Sequence, residues 1–307
     1  MTDQRRHAAI VPPLPPLGWS RLRRSAHRRA DEDWLSEAWR QARVLVVDRD
    51  SALVTEDALV LVAPDEAPDG ERVFLGEDEH GTAYFAVFAP LADQPDTRRV
   101  TLREVGHELN DLESALLMTA VSLANWHRRH RYSPYDGQPT RMAEAGWARV
   151  GADGRTIWPR TDPAVIVLVH DGVAGEAGRC LLGHNATWTN PDWMERYSCL
   201  AGFVEAGESA ESAVVREVAE EVGVGIDRLH YLGSQAWPYP GSLMLGFTAV
   251  GDPEQPLALD GAEISAARWF TRTEIRDVVT GDRDDFGLPM GTSIAYFLIM
   301  EWLAGRP

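Results

Sequence analysis

The stretch GFVEAGESAESAVVREVAEEVGV, Gly202 to Val224, concentrates groups that can do chemistry. Glu217, Glu220 and Glu221 are related by i, i+3 and i+4, so on a helix their carboxylates converge, with Arg216 beside them. Like charges at that spacing repel by roughly a few tenths of a kcal/mol per pair. A helix that accepts this repulsion leaves the face in water or gives the carboxylates something positive to hold. Convergent carboxylate oxygens suit a hard cation such as Mg²⁺ or Mn²⁺. The element that must position them is legible in the same stretch. Ser209 can cap a helix N-terminus, Gly223 sits where a C-terminal glycine belongs, and Ala210, Val214, Val218 and Val222 recur every four residues as a stripe to be buried. The preceding loop, Gly202–Gly207, can bring backbone close to a ligand.

Gly202, five residues, Glu208, seven residues, then Arg216-Glu-Val-Ala-Glu-Glu-Val-Gly-Val224 resembles the Nudix box at every fixed position. The alternative, a solvated acidic face on an amphipathic helix, requires only one or two spaced glutamates and leaves the rest of the pattern unexplained. The resemblance implies hydrolysis of a nucleoside diphosphate linked to another group, with Glu217, Glu220 and Glu221 holding divalent metal and Arg216 orienting a glutamate by an ion pair. Such chemistry needs positive charge. Both phosphoryl groups repel a nucleophilic water, and a metal ion neutralises them, acidifies the water and aligns attack.

Downstream, SQAWPYPGSLM (Ser234 to Met244) is similar to the SQPWPFPxS signature of the NADH pyrophosphatase branch, with Ala236 for a proline and Tyr239 for a phenylalanine. Read from the residues alone, it is a proline-rich turn between strands. Trp237 and Tyr239, held by Pro238 and Pro240, could also form a stacking platform for a flat ring. The resemblance implies cleavage of NADH or NAD⁺ to nicotinamide mononucleotide and AMP, and extends to removal of NAD caps from RNA 5′ ends. It further implies metal held by the Ala201 carbonyl, Glu217, Glu221 and Glu263, with Glu220 close by. The dinucleotide would contact Phe203, Gln235, Trp237, Tyr239, Ser242, Met244 and Ala295, and Trp158 would reach across a homodimer to the partner's site. Two rivals stand beside this reading: a Nudix pyrophosphatase for ADP-ribose or dinucleoside polyphosphates, which the SQAWPYPGS segment disfavours, and a nucleotide-sensing module without catalysis, which would lack the metal carboxylates.

The 307-residue chain carries a net charge of −17, which argues against broad, sequence-blind binding of nucleic acid while leaving room for a local basic pocket. It has only Cys180 and Cys199, no apolar run long enough to span a bilayer, and a proline-broken N-terminus without a signal-peptide core. A cytoplasmic protein without a membrane partner is the expectation. The expected fold is α+β in four parts. Residues 1–30 form an irregular leader rich in Pro and Arg, draped over the fold or mobile. An N-terminal α/β domain covers 31–130, with strands at RVLVVD, ALVLVA, RVFLGED and AYFAVFA, and a long helix from Asp111. A zinc-ribbon-like connector covers 131–160. A C-terminal Nudix α/β/α sandwich with a mixed sheet covers 161–307, where TRTE, Thr271 to Glu274, opens a helix as a capping box. The HRRHR run, His127 to Arg131, reads as a solvated helix C-terminus rather than an RNA patch.

The departure from the family lies in the connector. Ser133, Asp136, Val150 and Asp153 stand at the positions of a four-cysteine zinc ribbon. Cys180 and Cys199 lie elsewhere and should be buried as small apolar side chains. His127 and His130 offer at most a weak, open site, and His170 and His184 read as structural. No zinc is expected. Trp147, Trp158, Tyr132 and Tyr135 are then the aromatic mass expected to hold the connector together.

Overall fold

The computed structural model describes residues 15–306 apart from 19, 57, 189–195 and 260. They form two units: one of residues up to 18, 162–235 and from 243 onward, the other of 19–161 with 236–242.

In the second of these, α1 (Glu32–Trp39) precedes β1 (Arg43–Val47), β2 (Ser51–Val54), β3 (Leu61–Val62), β4 (Glu71–Glu77), β5 (Ala83–Phe88), β6 (Arg98–Thr101), the single turn α2 (Leu102–Val105) and α3 (Asp111–Arg129). One sheet runs β3-β1-β5-β4 and a second pairs β2 with β6. The four hydrophobic runs all become strands, whereas α1 and the SALV strand β2 carry too little periodicity to be read from sequence. Asn110 caps α3, its Oδ1 accepting from the amides of Leu112 and Glu113 at 3.0 Å each. Trp34 and Trp39 of α1 meet Phe74 and Phe85 edge-on, at 5.4 and 5.2 Å between centroids.

Of the two readings of the leader, residues 20–30 take the draped one. Leu22 is buried, and Arg23 bridges to Glu77 with reciprocal backbone hydrogen bonds of 2.8 and 2.9 Å. Residues 1–14 lie outside the described residues.

The connector is a small sheet of β7 (Arg141–Ala143), β8 (Ala148–Val150) and β9 (Thr156–Ile157). The expectation about its aromatics is corrected. Tyr132, Tyr135 and Trp158 are all more than 60% exposed. Only Trp147 serves as expected, donating from its indole to the Phe74 carbonyl at 2.7 Å beneath the guanidinium groups of Arg24 and Arg29. What shapes the connector is two polar turns. The Tyr135 amide donates to Ser133 Oγ (3.2 Å) and the Gln138 amide to Asp136 Oδ1 (3.0 Å); the Arg155 amide donates to Asp153 Oδ1 (2.9 Å). A Cβ on Gly151 would stand 3.8 Å from Ser133 Cβ, so the two turns face each other. His127 and His130 are engaged by the carbonyls of Gly146 and Trp126.

The other unit contains β10 (Asp162–His170), β11 (Arg179–Asn185), β12 (Leu200–Phe203), α4 (Ala210–Val222), β13 (Ile226–Trp237) as far as Gln235, β14 (Ser242–Gly251) from Leu243, β15 (Ile264–Thr271), α5 (Arg272–Thr280) and α6 (Ile294–Leu303). Its sheet runs β13-β14-β10-β11-β15, with β12 antiparallel to β10. β10 shows why AVIVLV is an unbroken apolar run. Val165, Val167 and Val169 face a core containing Val214, Val218 and Val222 of α4, while Ile166 and Leu168 face one containing Leu298 and Ile299 of α6. A strand buried on both faces cannot alternate with polar residues. The result is the expected α/β/α sandwich. Cys180 and Cys199 are buried in the α6-side core as unpaired thiols. Among the described residues no helix is long and apolar enough to cross a membrane.

Candidate active site

α4 forms as its sequence dictates. The Ser212 amide donates to Ser209 Oγ at 3.2 Å, Gly223 takes the left-handed conformation at φ 74°, and the valine stripe is fully buried. Burying that stripe fixes where the glutamates point. Glu217 and Glu221, one turn apart, are themselves buried, whereas the Glu220 side chain is 61% exposed.

Arg216 answers the question of what the clustered glutamates hold. Its Nε and Nη2 fork onto Glu208 at 2.9 and 2.8 Å; Nη1 donates to Glu217 at 2.9 Å and Glu220 at 3.0 Å; Nη2 also donates to the Phe203 carbonyl at 3.0 Å. Five hydrogen bonds match the five N–H groups of a guanidinium, a demand no lysine can meet. The fork holds the Glu208 carboxyl down to about 2, so the clamp stays ionised until pH falls toward that value. The same bonds raise the Arg216 pKa. Glu208 also receives the Glu205 amide at 3.0 Å, closing the loop before α4. Its part in the site was legible only as a fixed position of the motif, not as a role.

Glu217 is placed by a glycine. A Cβ built on Gly202 would stand 1.9 Å from Glu217 Cδ, so the carboxylate lies where any other residue's side chain would be. Gly202 is itself held by β12, paired with Val165 of β10, and Ala201 with Ile166. Burial raises the Glu217 pKa against the lowering by Arg216, and the charges of Glu220 and Glu263 push it further up. Glu263, from the exposed segment before β15, therefore acts on the same carboxylate from outside the helix. Among the described residues, no three Asp, Glu, His or Cys side chains are gathered as a ready metal cluster, and Glu217 and Glu220 are both paired with Arg216. The donor set nevertheless fits a divalent ion. It is all oxygen and hard, seated in a cradle that only glycine leaves open, and Glu217 already feels neighbouring negative charge that a cation would offset.

Of the other expected contacts, Ala201, Met244 and Ala295 border one core, and Phe203 is 58% exposed beside the helix that Arg216 ties to its carbonyl. Gln235 is buried and spent on backbone: Nε2 donates to the carbonyls of Thr292 (2.7 Å) and Pro16 (2.6 Å), and Oε1 accepts from the Ile294 amide (2.9 Å). It fixes the start of α6, and so Ala295. Trp158, Trp237, Tyr239 and Ser242 belong to the second unit. There the Trp237 and Tyr239 rings meet edge-on at 5.4 Å, with the Arg103 guanidinium 5.1 and 4.2 Å from their centroids. The buried Asn125 donates to the Pro238 carbonyl at 2.5 Å. The turn is thus a built structure whose aromatic pair already carries a cation.

Three domain models match the chain: an NADH pyrophosphatase-like rudimentary NUDIX domain over residues 40–126, an NADH pyrophosphatase zinc ribbon domain over 128–150, and a NUDIX domain over 160–286. The NAD-capped RNA hydrolase NudC of Mycobacterium tuberculosis (strain ATCC 25618 / H37Rv) is 43% identical over 310 aligned positions, covering 96% of this chain and 95% of its own. The human NAD-capped RNA hydrolase NUDT12 is 37% identical over 210 positions, covering 65% of this chain and 44% of its own. A solved NUDIX hydrolase from Nitrosomonas europaea has a TM-score of 0.41 at 19% identity, over 58% of this chain and 94% of its own.

Proposed function

The chain belongs to the Nudix hydrolases of the NADH pyrophosphatase branch, and from that premise we propose that it hydrolyses the diphosphate bond of NADH and NAD⁺, giving nicotinamide mononucleotide and AMP, and removes NAD caps from RNA. The observation that carries this reading is the clamp of Arg216 on Glu208, Glu217 and Glu220, with Glu217 seated on Gly202, in a chain alike over nearly its whole length to a NAD-capped RNA hydrolase. In this reading Glu217, Glu221, Glu263 and the Ala201 carbonyl hold Mg²⁺ or Mn²⁺, with Glu220 beside them. Bound there, the ion offsets diphosphate charge and lowers the pKa of the attacking water. Arg216 keeps Glu208 ionised and aims Glu217 and Glu220. Phe203, Trp237, Tyr239, Ser242, Met244 and Ala295 receive the dinucleotide, while Gln235 acts by fixing α6. The protein works as a homodimer, a reading supported by the exposure of Trp158. A cytoplasmic setting is supported by two thiols that form no disulfide. The test is chromatography of products from NADH, ADP-ribose and NAD-capped RNA, each with Mg²⁺ or Mn²⁺. Mononucleotide products from NADH and a 5′-monophosphate end from capped RNA are expected. Cleavage of ADP-ribose alone would overturn the reading.

Removing the stacking ring should separate substrates. Trp237→Ala is expected to weaken NADH cleavage by about 1–3 kcal/mol in kcat/KM, the range of a base–aromatic stack, and to spare poorer diphosphates. An equal loss on every substrate would make the Trp237–Tyr239–Arg103 assembly a structural turn only.

The connector should hold no zinc, although its sequence matches a zinc ribbon model. Of the four positions, Val150 offers no donor, and Ser133, Asp136 and Asp153 are engaged in closing their own turns. Elemental analysis of untagged protein is expected to find little zinc, and a chelator to leave the melting temperature unchanged once Mg²⁺ is restored. Stoichiometric zinc released only on unfolding would refute this.

A further inference from the structure

A cavity of about 620 Å³ lies within the second unit, between the end of α3, the β1–β2 turn and the connector sheet. That volume is in the range that takes a nucleotide-sized ligand. Its lining is cationic in a chain that carries 47 acidic residues against 30 basic ones: Arg49, Arg128, Arg131 and Arg149 all face it, with His127. Among the described residues none of these four arginines is ion-paired. Of the two acids that also line it, Asp48 is taken by Arg99 at 3.1 Å, and Glu71 stands exposed, reaching Arg149 only through its field.

The floor is built rather than incidental. Arg149 is 6% exposed and His127 3%. Arg149 donates from Nε to Thr140 Oγ1 (2.6 Å), from Nη2 to the Thr140 carbonyl (2.8 Å) and from Nη1 to His127 Nδ1 (3.0 Å). With Nδ1 accepting, the His127 proton is on Nε2, where it is donated to the Gly146 carbonyl at 2.7 Å. Every hydrogen-bond partner of Arg149 is therefore neutral. A buried guanidinium without a bonded anion is costly, and the cavity beside it is where an anion would relieve that cost. The rim is different: Arg49, Arg128, Arg131 and Tyr132 are accessible to solvent, Tyr132 at 64%. Accessible arginines beside a free aromatic ring suit a strand of nucleotides, with phosphates on the cations and a base on the ring. Of HRRHR, read from sequence as a solvated helix end, His127, Arg128 and Arg131 line the cavity.

We propose that this cavity is a second, non-catalytic site that takes a phosphate of single-stranded RNA, with the adjoining base stacked on Tyr132. The proposal rests on the capped-RNA reading above and names where the RNA body is held. A local site for one or two phosphates is also what a chain of net charge −17 leaves room for.

The test measures binding of a short, uncapped, 5′-monophosphorylated RNA by fluorescence anisotropy in EDTA, across a salt series. The Arg49→Gln/Arg131→Gln double variant should bind more weakly, and its slope of log K against log salt should be shallower by about 1.4, the value for two lost contacts on single strands. Tyr132→Ala should weaken binding about tenfold with the slope unchanged, because stacking carries no counterions. NADH turnover with Mg²⁺ should be unaffected by either change. Wild-type slope and affinity in the double variant would overturn the proposal, as would displacement of the RNA by equimolar AMP, which would mark a free-nucleotide site. Failure of the wild-type protein to cleave NADH would instead sink the functional reading and leave the binding result standing.

Discussion

Glu217→Gln and Glu221→Gln are each expected to lower kcat by on the order of a thousandfold, about 4 kcal/mol of barrier, while the melting temperature stays close to that of the wild type. The swap is nearly isosteric, and at position 217 the new carboxamide oxygen can still accept from Arg216 Nη1, so the clamp on Glu208 survives. What is lost is a charge that a divalent ion requires. Glu220 provides the internal comparison. Its side chain is 61% exposed against 11% for Glu217, and Arg216 is the partner it holds, so Glu220→Gln is expected to cost less. Retention of more than about a tenth of wild-type kcat, a loss of only ~1.4 kcal/mol, in both Glu217→Gln and Glu221→Gln would place the metal away from α4.

The sequence is most informative where local rules and chemistry act on the same residues. In α4 the cap Ser209, the terminal Gly223 and the valine stripe all follow from short-range preferences, and together they orient Glu217 and Glu221 without help from distant contacts. Thr271 opens α5 as a capping box for the same reason, its Oγ1 accepting from the Glu274 amide at 3.2 Å. Legibility fails where the partner is remote in sequence. Nothing near Gln235 says that its side chain is consumed by Pro16, Thr292 and Ile294, and a glutamine in a recognition motif reads as a ligand contact. Tyr132, Tyr135 and Trp158 read as core because burying an aromatic is favourable. The connector is too small to cover them and is shaped by side-chain-to-backbone turns instead. Arg149 is buried against His127, twenty-two residues earlier, and nothing local to either residue signals that contact.

Gly202→Ala should be as damaging as losing the Glu217 charge, although it removes no functional group. The new methyl would sit 1.9 Å from Glu217 Cδ and 2.0 Å from Oε1, distances no relaxation of the methyl itself can relieve. β12 cannot retreat, because Gly202 is paired with Val165 in the buried strand β10. The carboxylate must therefore leave its seat, and turnover should fall by at least about a hundredfold, ~2.7 kcal/mol. If the glycine acts only through Glu217, combining Gly202→Ala with Glu217→Gln should be little worse than either alone, the signature of two residues that share one role. Gly207 separates this steric effect from ordinary glycine loss. It lies in the loop that follows β12, at φ 87° with nothing within 4 Å of its would-be Cβ, so Gly207→Ala should cost about 1–2 kcal/mol of stability through backbone strain and leave kcat near wild type. Comparable kcat losses from both alanines would assign the effect to loop geometry. A fully active Gly202→Ala enzyme would mean that the position of Glu217 is not the one used in catalysis.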